Sequence, residues 1–407
     1  MPTLISGFNI LWCMTNESQN IKSVNRKILL LKQLCFAAIV TLVIVAPGCK
    51  EKFPFPQSAV DKNYLVVEGF INSGNDSTRI KLSRSVKPDD SVFIKPERAA
   101  IVSVEGENGS DYPLFETEPG MYCGAPIALN PAEKYRLAIQ TTNGKSYFSE
   151  FVDVKTTPPI DSVNWVRTPD GVQIYVNTHD PNNDTRYYAW QFTETWEFHS
   201  YYSSLWEYID GTMIYRNNPS SLYTCWQSSS STNIFIGSSA KLTDDVIYRS
   251  PLVFIPDNSW KLSVKYSINV KQRALSKAAF EYLEKMKKNS EQLGSIFDPQ
   301  PSTSSGNMYC ADDPDEMVIG YMYASAIEEQ RIFVSRLQVP DWQYRLYCEV
   351  FTVPNNKDSL DAAFLGGYNL VMDEIRERGI LLGYTGSTGL CIDCTRRGTN
   401  VKPDFWR

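Results

Sequence analysis

The sequence predicts a mainly β protein: a β-sandwich near the N-terminus, then a larger β-rich domain carrying one amphipathic helix. Three observations lead there. Aromatic residues make up 13% of the chain, and Tyr, Phe, Trp, Val, Ile and Thr favour strands. Short runs alternate apolar and polar residues between turn signals, the period-two pattern of half-buried strands. One stretch, about 275–293, changes to apolar spacings of three and four. A chain of 407 residues is also too long for one small core, so two domains are expected.

The elements follow in chain order, beginning with a leader. The apolar run Leu34 to Ala46 has 13 residues, whereas a bilayer core takes about 20. Lys22, Arg26, Lys27 and Lys32 precede it and small residues end it, which is the grammar of a secretory signal peptide. Gly48 before Cys49 resembles a bacterial lipobox, in which the cysteine is diacylated and becomes the new N-terminus; Pro47 departs from that pattern. Residues 1–48 are therefore expected to be a leader, with Met14 as the true start, and Cys49 to carry lipid. Plain secretion or an uncleaved anchor is the alternative. Residues 49–62 read as a tether, because KEKFPFPQ is an extended, proline-bearing spacer. Lys50 and Glu51 resemble a surface-export signal, and a generic polar tether accounts for them equally well.

The first domain is expected over 63–157. YLVVEGFI is a strand-like run, and STRIKLSRS alternates Ile80 and Leu82 with charged neighbours. AAIVSVEGENGSDYPLFE reads as strand, turn, strand. In EKYRLAIQTTNGKSYF, Tyr135, Leu137 and Ile139 alternate before Asn143-Gly144, a hairpin turn signal. About seven short strands in this span suggest a sandwich. TTPPID, 156–161, breaks the pattern and marks the boundary.

The second domain is expected over 158–407. Trp165, the turn at Pro169-Asp170-Gly171, then Val172, Ile174 and Val176 form a hairpin. TRYYAWQFTETWEF is the most aromatic strand, and NIFIG, PLVFIP and KLSVKYSINVKQ are strand-like. Leu275, Ala278, Ala279, Tyr282, Leu283 and Met286 then define the helix, with Gly294 as its stop. EMVIGYMYASAIEEQRIFV returns to strands, and an irregular cysteine-containing tail ends at an apolar anchor, Phe405 and Trp406.

Charge excludes one class of partner. Of 40 basic and 46 acidic residues, four and one precede Cys49, which leaves 36 and 45 after it, net −9. There is no basic stripe, so nucleic acid is not an expected partner. The chain also lacks GxSxG, HExxH, a P-loop and a Gly-rich dinucleotide turn, so no catalytic residue, metal or cofactor is assigned.

Several constellations remain. Six cysteines follow Cys49, namely Cys123, Cys225, Cys310, Cys348, Cys391 and Cys394, and an even number in an exported chain permits disulfides. The CxxC at Cys391 and Cys394 sits in a Gly/Thr-rich tail rather than at a helix start. A zinc site needs about four ligands, and His179 and His199 are the only histidines. A disulfide staple is the preferred reading over metal or redox chemistry, with Cys225 joined to one member of the pair. DPNND, 180–184, puts Asp180, Asn182 and Asp184 at alternate positions as a calcium loop does, but Thr185 stands where glycine is needed and Gln191 where glutamate is, so it reads as a turn. ADDPDE, 311–316, reads as a solvated acidic turn. Trp190, Trp196, Tyr201, Tyr202, Trp206 and Tyr208 either pack a core or stack on a ligand. Trp196 and the four after it are the stacking candidates, and those beyond His199 the most exposed.

A resemblance now adds to this reading. YLVVEGFI, TPPIDSVNW, YYAWQFTETWEF, YSINVKQRALSKAAFEYLE, GSIFDPQPSTSSGN, VIGYMYASA with RIFV, and CIDCTRRGTNVKPDFW occur in one order across the chain beyond its leader. Together they resemble the Bacteroidota family called domain of unknown function 4249. The resemblance implies an outer-membrane lipoprotein with an immunoglobulin-like N-terminal domain, which joins the membrane through its N-terminal lipid. It also implies a TonB-dependent outer-membrane receptor as partner, and so an accessory role in nutrient or metallophore uptake. A surface adhesive or structural protein is the alternative, and an envelope hydrolase the third.

Overall fold

The strands read from the alternation form, and others join them at 206–215 and within 351–388, where no strand is expected from the sequence. The computed structural model describes residues 63–86, 94–291 and 306–407. The expected leader, lipidated Cys49, the tether and the last residues of the helical stretch lie outside these. The helix runs over Lys277–Glu291.

The first sheet has twelve strands, eight of which close on themselves. Around the ring run Lys134–Gln140, Ile101–Gly106, Asp111–Glu118, Met121–Cys123, Arg79–Arg84, Leu65–Asn72, Ala324–Ser325 and Val152–Lys155, the last pairing again with the first. Closure removes the edges that an open sheet exposes. The turn Thr141–Gly144 works because Gly144 takes φ +85°, which its lack of a Cβ permits. Leu65, Ile80, Leu82, Val104, Leu137 and Tyr147 fill the interior.

The expected first domain, 63–157, is incomplete on its own. Met308–Cys310 pairs with Ser146–Ser149, Val318–Ile319 runs parallel to Leu65–Asn72, and Ala324–Ser325 bridges Leu65–Asn72 and Val152–Lys155. Residues from beyond the expected boundary thus close the ring. All described residues fall in one unit, Asn63–Arg407.

The second core lies between two sheets. One holds Ile160–Thr168, Gly171–His179 and Val246–Pro256. The other centres on Tyr187–His199, with Thr224–Ser230 and Phe235–Ser238 on one side and Lys265–Ala274 then Glu328–Ser335 on the other. Val172, Ile174 and Val176 from the first meet Trp190, Phe198, Tyr266 and Ile268 from the second. A third, smaller core sits under the sheet Phe351–Pro354, Ile380–Thr388, Asn369–Glu377. The helix Lys357–Phe364 and the hairpin Trp206–Ile209 with Thr212–Tyr215 pack against it. Among the described residues no helix is long and apolar enough to cross a membrane.

Candidate functional site

A cleft of ≈ 340 Å³ forms where the strand Leu65–Asn72, the paired strands Tyr187–His199 and Lys265–Ala274, and the helix Lys277–Glu291 meet. The local sequence explains the helix position. The strand ends at Ala274, and Ser276 Oγ accepts the Ala279 N–H at 3.2 Å, which starts the helix. Leu275 and Ala279 pack on Ala189, and the Phe280 ring sits 5.0 Å from that of Tyr187. That docking brings Tyr282, Leu283 and Met286 to the cleft, while Ala278, expected on the same face, is exposed. The opposite wall carries Phe70 and Tyr323, stacked at 5.4 Å, and Tyr321, 5.1 Å from Tyr282. Two backbones approach closely at the base: a Cβ on Gly320, whose φ is +150°, would lie 2.4 Å from the Val67 carbonyl oxygen.

Arg273 is the basic side chain on this cleft and Glu68 the acidic one. Glu68 reaches Lys81 at 2.8 Å. Arg273 is only 8% exposed, its guanidinium lies 4.6 Å from the Phe70 ring centroid, and its Nε is buried without a hydrogen-bond partner. Among the described residues it has no ion pair. Arginine keeps its proton in proteins, and a buried charge without a counter-charge is expensive. The Tyr282 hydroxyl also has no hydrogen-bond partner among the described residues, and burial pushes its pKa up.

The cysteines form a separate cluster. Cys225 is joined to Cys394 and Cys348 to Cys391, so each member of the CxxC is in its own disulfide, while Cys123 and Cys310 are free thiols. Cys225 and Cys394 lie in the second core, and Cys348 and Cys391 flank the third sheet. The tail is held further by the Trp226–Thr399 bridge and by Trp406, whose Nε1 donates to Glu197 at 2.7 Å.

The five aromatic candidates do not share one surface. Trp190 and Trp196 are in the second core, Trp196 against Trp260 with Lys261 over its ring. Trp206 and Tyr208 pack on the third core, and the Tyr208 hydroxyl donates to Asp361 at 2.5 Å. The Tyr202 hydroxyl donates to the Cys348 carbonyl at 3.2 Å, and Tyr201 is 54% exposed. Alternation along Tyr187–His199 explains Trp196, since it shares the inward phase with Trp190 and Phe198.

Both acidic stretches are tied into the fold. Asp180 accepts the N–H groups of Asn182, Asp184 and Thr185 at 2.8–3.1 Å, which closes DPNND as a turn. Burial pushes its carboxyl up, but those amides outweigh burial and hold it low. His179 pairs instead with Asp161, at 2.7 Å, and His199 lies 3.5 Å from Glu197. Among the described residues no group of three His, Cys, Asp or Glu is placed to hold a metal ion. In ADDPDE, Glu316 accepts from Lys145 and, at 2.7 Å, from the Tyr147 hydroxyl, with Arg84 3.7 Å away. Burial raises the Glu316 carboxyl, and these three partners more than reverse that, so its pKa lies below the ordinary value. A depressed carboxyl stabilises the fold above its unfolded pKa of about 4.3 and loses that contribution as pH falls through the folded value. Glu316→Gln should therefore be less stable than the wild type at pH 7, with the gap closing below about pH 4. Urea unfolding at pH 7 and pH 3 checks this, and a constant gap would refute it.

Alternation along Lys265–Ala274 puts Arg273 in phase with Lys265, Asn269 and Lys271, which reads as a solvent face. No local signal marks it as special. Its burial is tertiary, from Phe70 and from the helix beside its strand partner Ala189.

Fold and cleft together define the class: a mainly β protein built on a closed eight-stranded sheet. The chain belongs to the family described as domain of unknown function (DUF4249), whose model matches residues 50–331. No curated protein matches it. Among solved structures, a DUF4785 family protein from Legionella pneumophila is 11% identical, with 51% of each chain covered and a TM-score of 0.18. A candidate carbohydrate binding protein from Bacteroides uniformis is 8% identical over 54% of this chain and 92% of that one, with a TM-score of 0.15. At such scores the likeness carries no argument.

Proposed function

We propose that this chain is a non-catalytic binding protein of the cell envelope, held at the outer membrane by lipid on Cys49, which assists a TonB-dependent outer-membrane receptor in taking up its ligand. The observation that carries the binding part is the cleft, with aromatic walls and a buried, unpaired guanidinium. An apolar concavity with few polar groups is the usual form of a small-molecule site. The two disulfides suit an oxidising compartment outside the cytoplasm. The leader grammar supports the anchor, and the family resemblance supports the receptor. An immunoglobulin-like ancestry for the first sheet belongs to the same reading, its ring closed by the late strands.

Affinity-tagged protein drawn from detergent-solubilised outer membranes tests this. The expected result is a stoichiometric TonB-dependent receptor, together with an N-terminal peptide acylated on Cys49. Lipidated protein without a barrel partner would overturn the accessory role and favour a surface adhesive.

A further inference from the structure

We propose that Arg273 makes the cleft an anion-recognition site, whose ligand is a small organic anion: a carboxylate, sulfonate or phosphate on a flat, apolar body. This rests on the binding reading above and names the class of ligand that the cleft takes.

Arg273 is more than nine-tenths buried, its Nε meets no acceptor, and it has no ion pair among the described residues. The guanidinium is a permanent cation, so the missing partner is an anion or a neutral acceptor. The Phe70 ring supplies a cation–π contact but no hydrogen-bond acceptor. Glu68, the acid nearest in chain position to that ring, is paired with Lys81. A fixed cation without its anion inside an aromatic enclosure is complementary to what it lacks. A guanidinium fork matches carboxylate, sulfonate or phosphate oxygens in two parallel hydrogen bonds.

The rest of the cleft describes the rest of the ligand. The stacked pair Phe70 and Tyr323 and the pair Tyr282 and Tyr321 line the cleft with aromatic carbon. The Tyr282 hydroxyl, without a hydrogen-bond partner among the described residues, adds a donor on the helix wall. Roughly 340 Å³ is the low end of small-molecule sites and suits one or two fused rings with an acidic group.

Calorimetric titration of the full chain in detergent, with 2-naphthoate and with neutral 2-naphthalenemethanol, tests the proposal. Micelle partitioning of each probe cancels between wild type and variants. The expected result is saturable 1:1 binding of naphthoate, weakened about tenfold or more in Arg273→Gln, with the alcohol unaffected. Arg273→Lys keeps the charge and loses the fork, so it should fall between the two, and it replaces the glutamine variant should that fail to fold. Arg273→Gln should also melt at or above the wild-type temperature, because it removes an unpaired buried charge. Equal naphthoate affinity in wild type and variants would overturn the proposal, as would no binding of either probe to the wild type. A receptor that co-purifies while both probes fail would remove the ligand class and leave the receptor partnership standing.

Discussion

Replacing Cys225 and Cys394 together by alanine is expected to lower the unfolding free energy by about 5 kcal/mol. The cross-link closes a loop of 169 residues. A loop of about 100 residues already withholds roughly 4.7 kcal/mol of chain entropy from the unfolded state, and the cost grows with the logarithm of length. The other bridge, Cys348–Cys391, spans 43 residues, and the same relation gives about 4 kcal/mol. The first pair should therefore be the more damaging to lose, by about 1 kcal/mol. Alanine is the right replacement because both sulfurs are buried in the second core, where a serine hydroxyl would add its own penalty. The loss should begin at the tail, where Trp226 meets Thr399 and Trp406 meets Glu197, so indole fluorescence should report it first. Guanidinium unfolding of the two double variants decides the matter. Equal stability of the Cys225/Cys394 variant and the wild type would reject the entropic account.

The strands were open to sequence reading because burial on one face writes a period of two into the chain. Tyr187–His199 shows it plainly, with Tyr188, Trp190, Phe192, Trp196 and Phe198 all inward. The helix showed its period as well, although Ala278 faces out and the apolar stripe is narrower than the spacing suggests. The closing of the first sheet left no such trace. Val318–Ile319 and Ala324–Ser325 are two-residue strands, too short to carry any period, and their partners lie about 170 to 250 residues away in the chain. The same holds for the cleft. Each of its walls reads locally as ordinary core or ordinary surface, and Arg273 becomes unusual only when Phe70 arrives from the other sheet. The aromatic candidates misled for the converse reason: a cluster in sequence at 196–208 is divided between two cores in space.

Glu194 is the exception within the inward phase of that central strand, and removing it should be nearly as costly as losing a disulfide. Its carboxylate is buried between Phe192 and Trp196 in the alternation, yet fully partnered. Lys261 Nζ lies 2.7 Å from Oε2, and the Tyr266 hydroxyl donates to Oε1 at 2.8 Å. The two partners would respond differently to its loss. Lys261 is about a quarter exposed and can turn to water, so little of its charge is stranded. Tyr266 is wholly buried, and its hydroxyl would have no acceptor. Breaking a buried pair costs about 3–5 kcal/mol, and the freedom of Lys261 places Glu194→Leu near 3 kcal/mol. Tyr266→Phe leaves the carboxylate with Lys261 and should cost about 1 kcal/mol. The double variant turns both positions apolar without changing their shape much, which removes the stranded hydroxyl. It should therefore be more stable than Glu194→Leu alone, by about 1–2 kcal/mol. Urea unfolding of the three variants measures this coupling. If the two single costs simply add, the Glu194–Tyr266 hydrogen bond is not what makes the acid tolerable in this core.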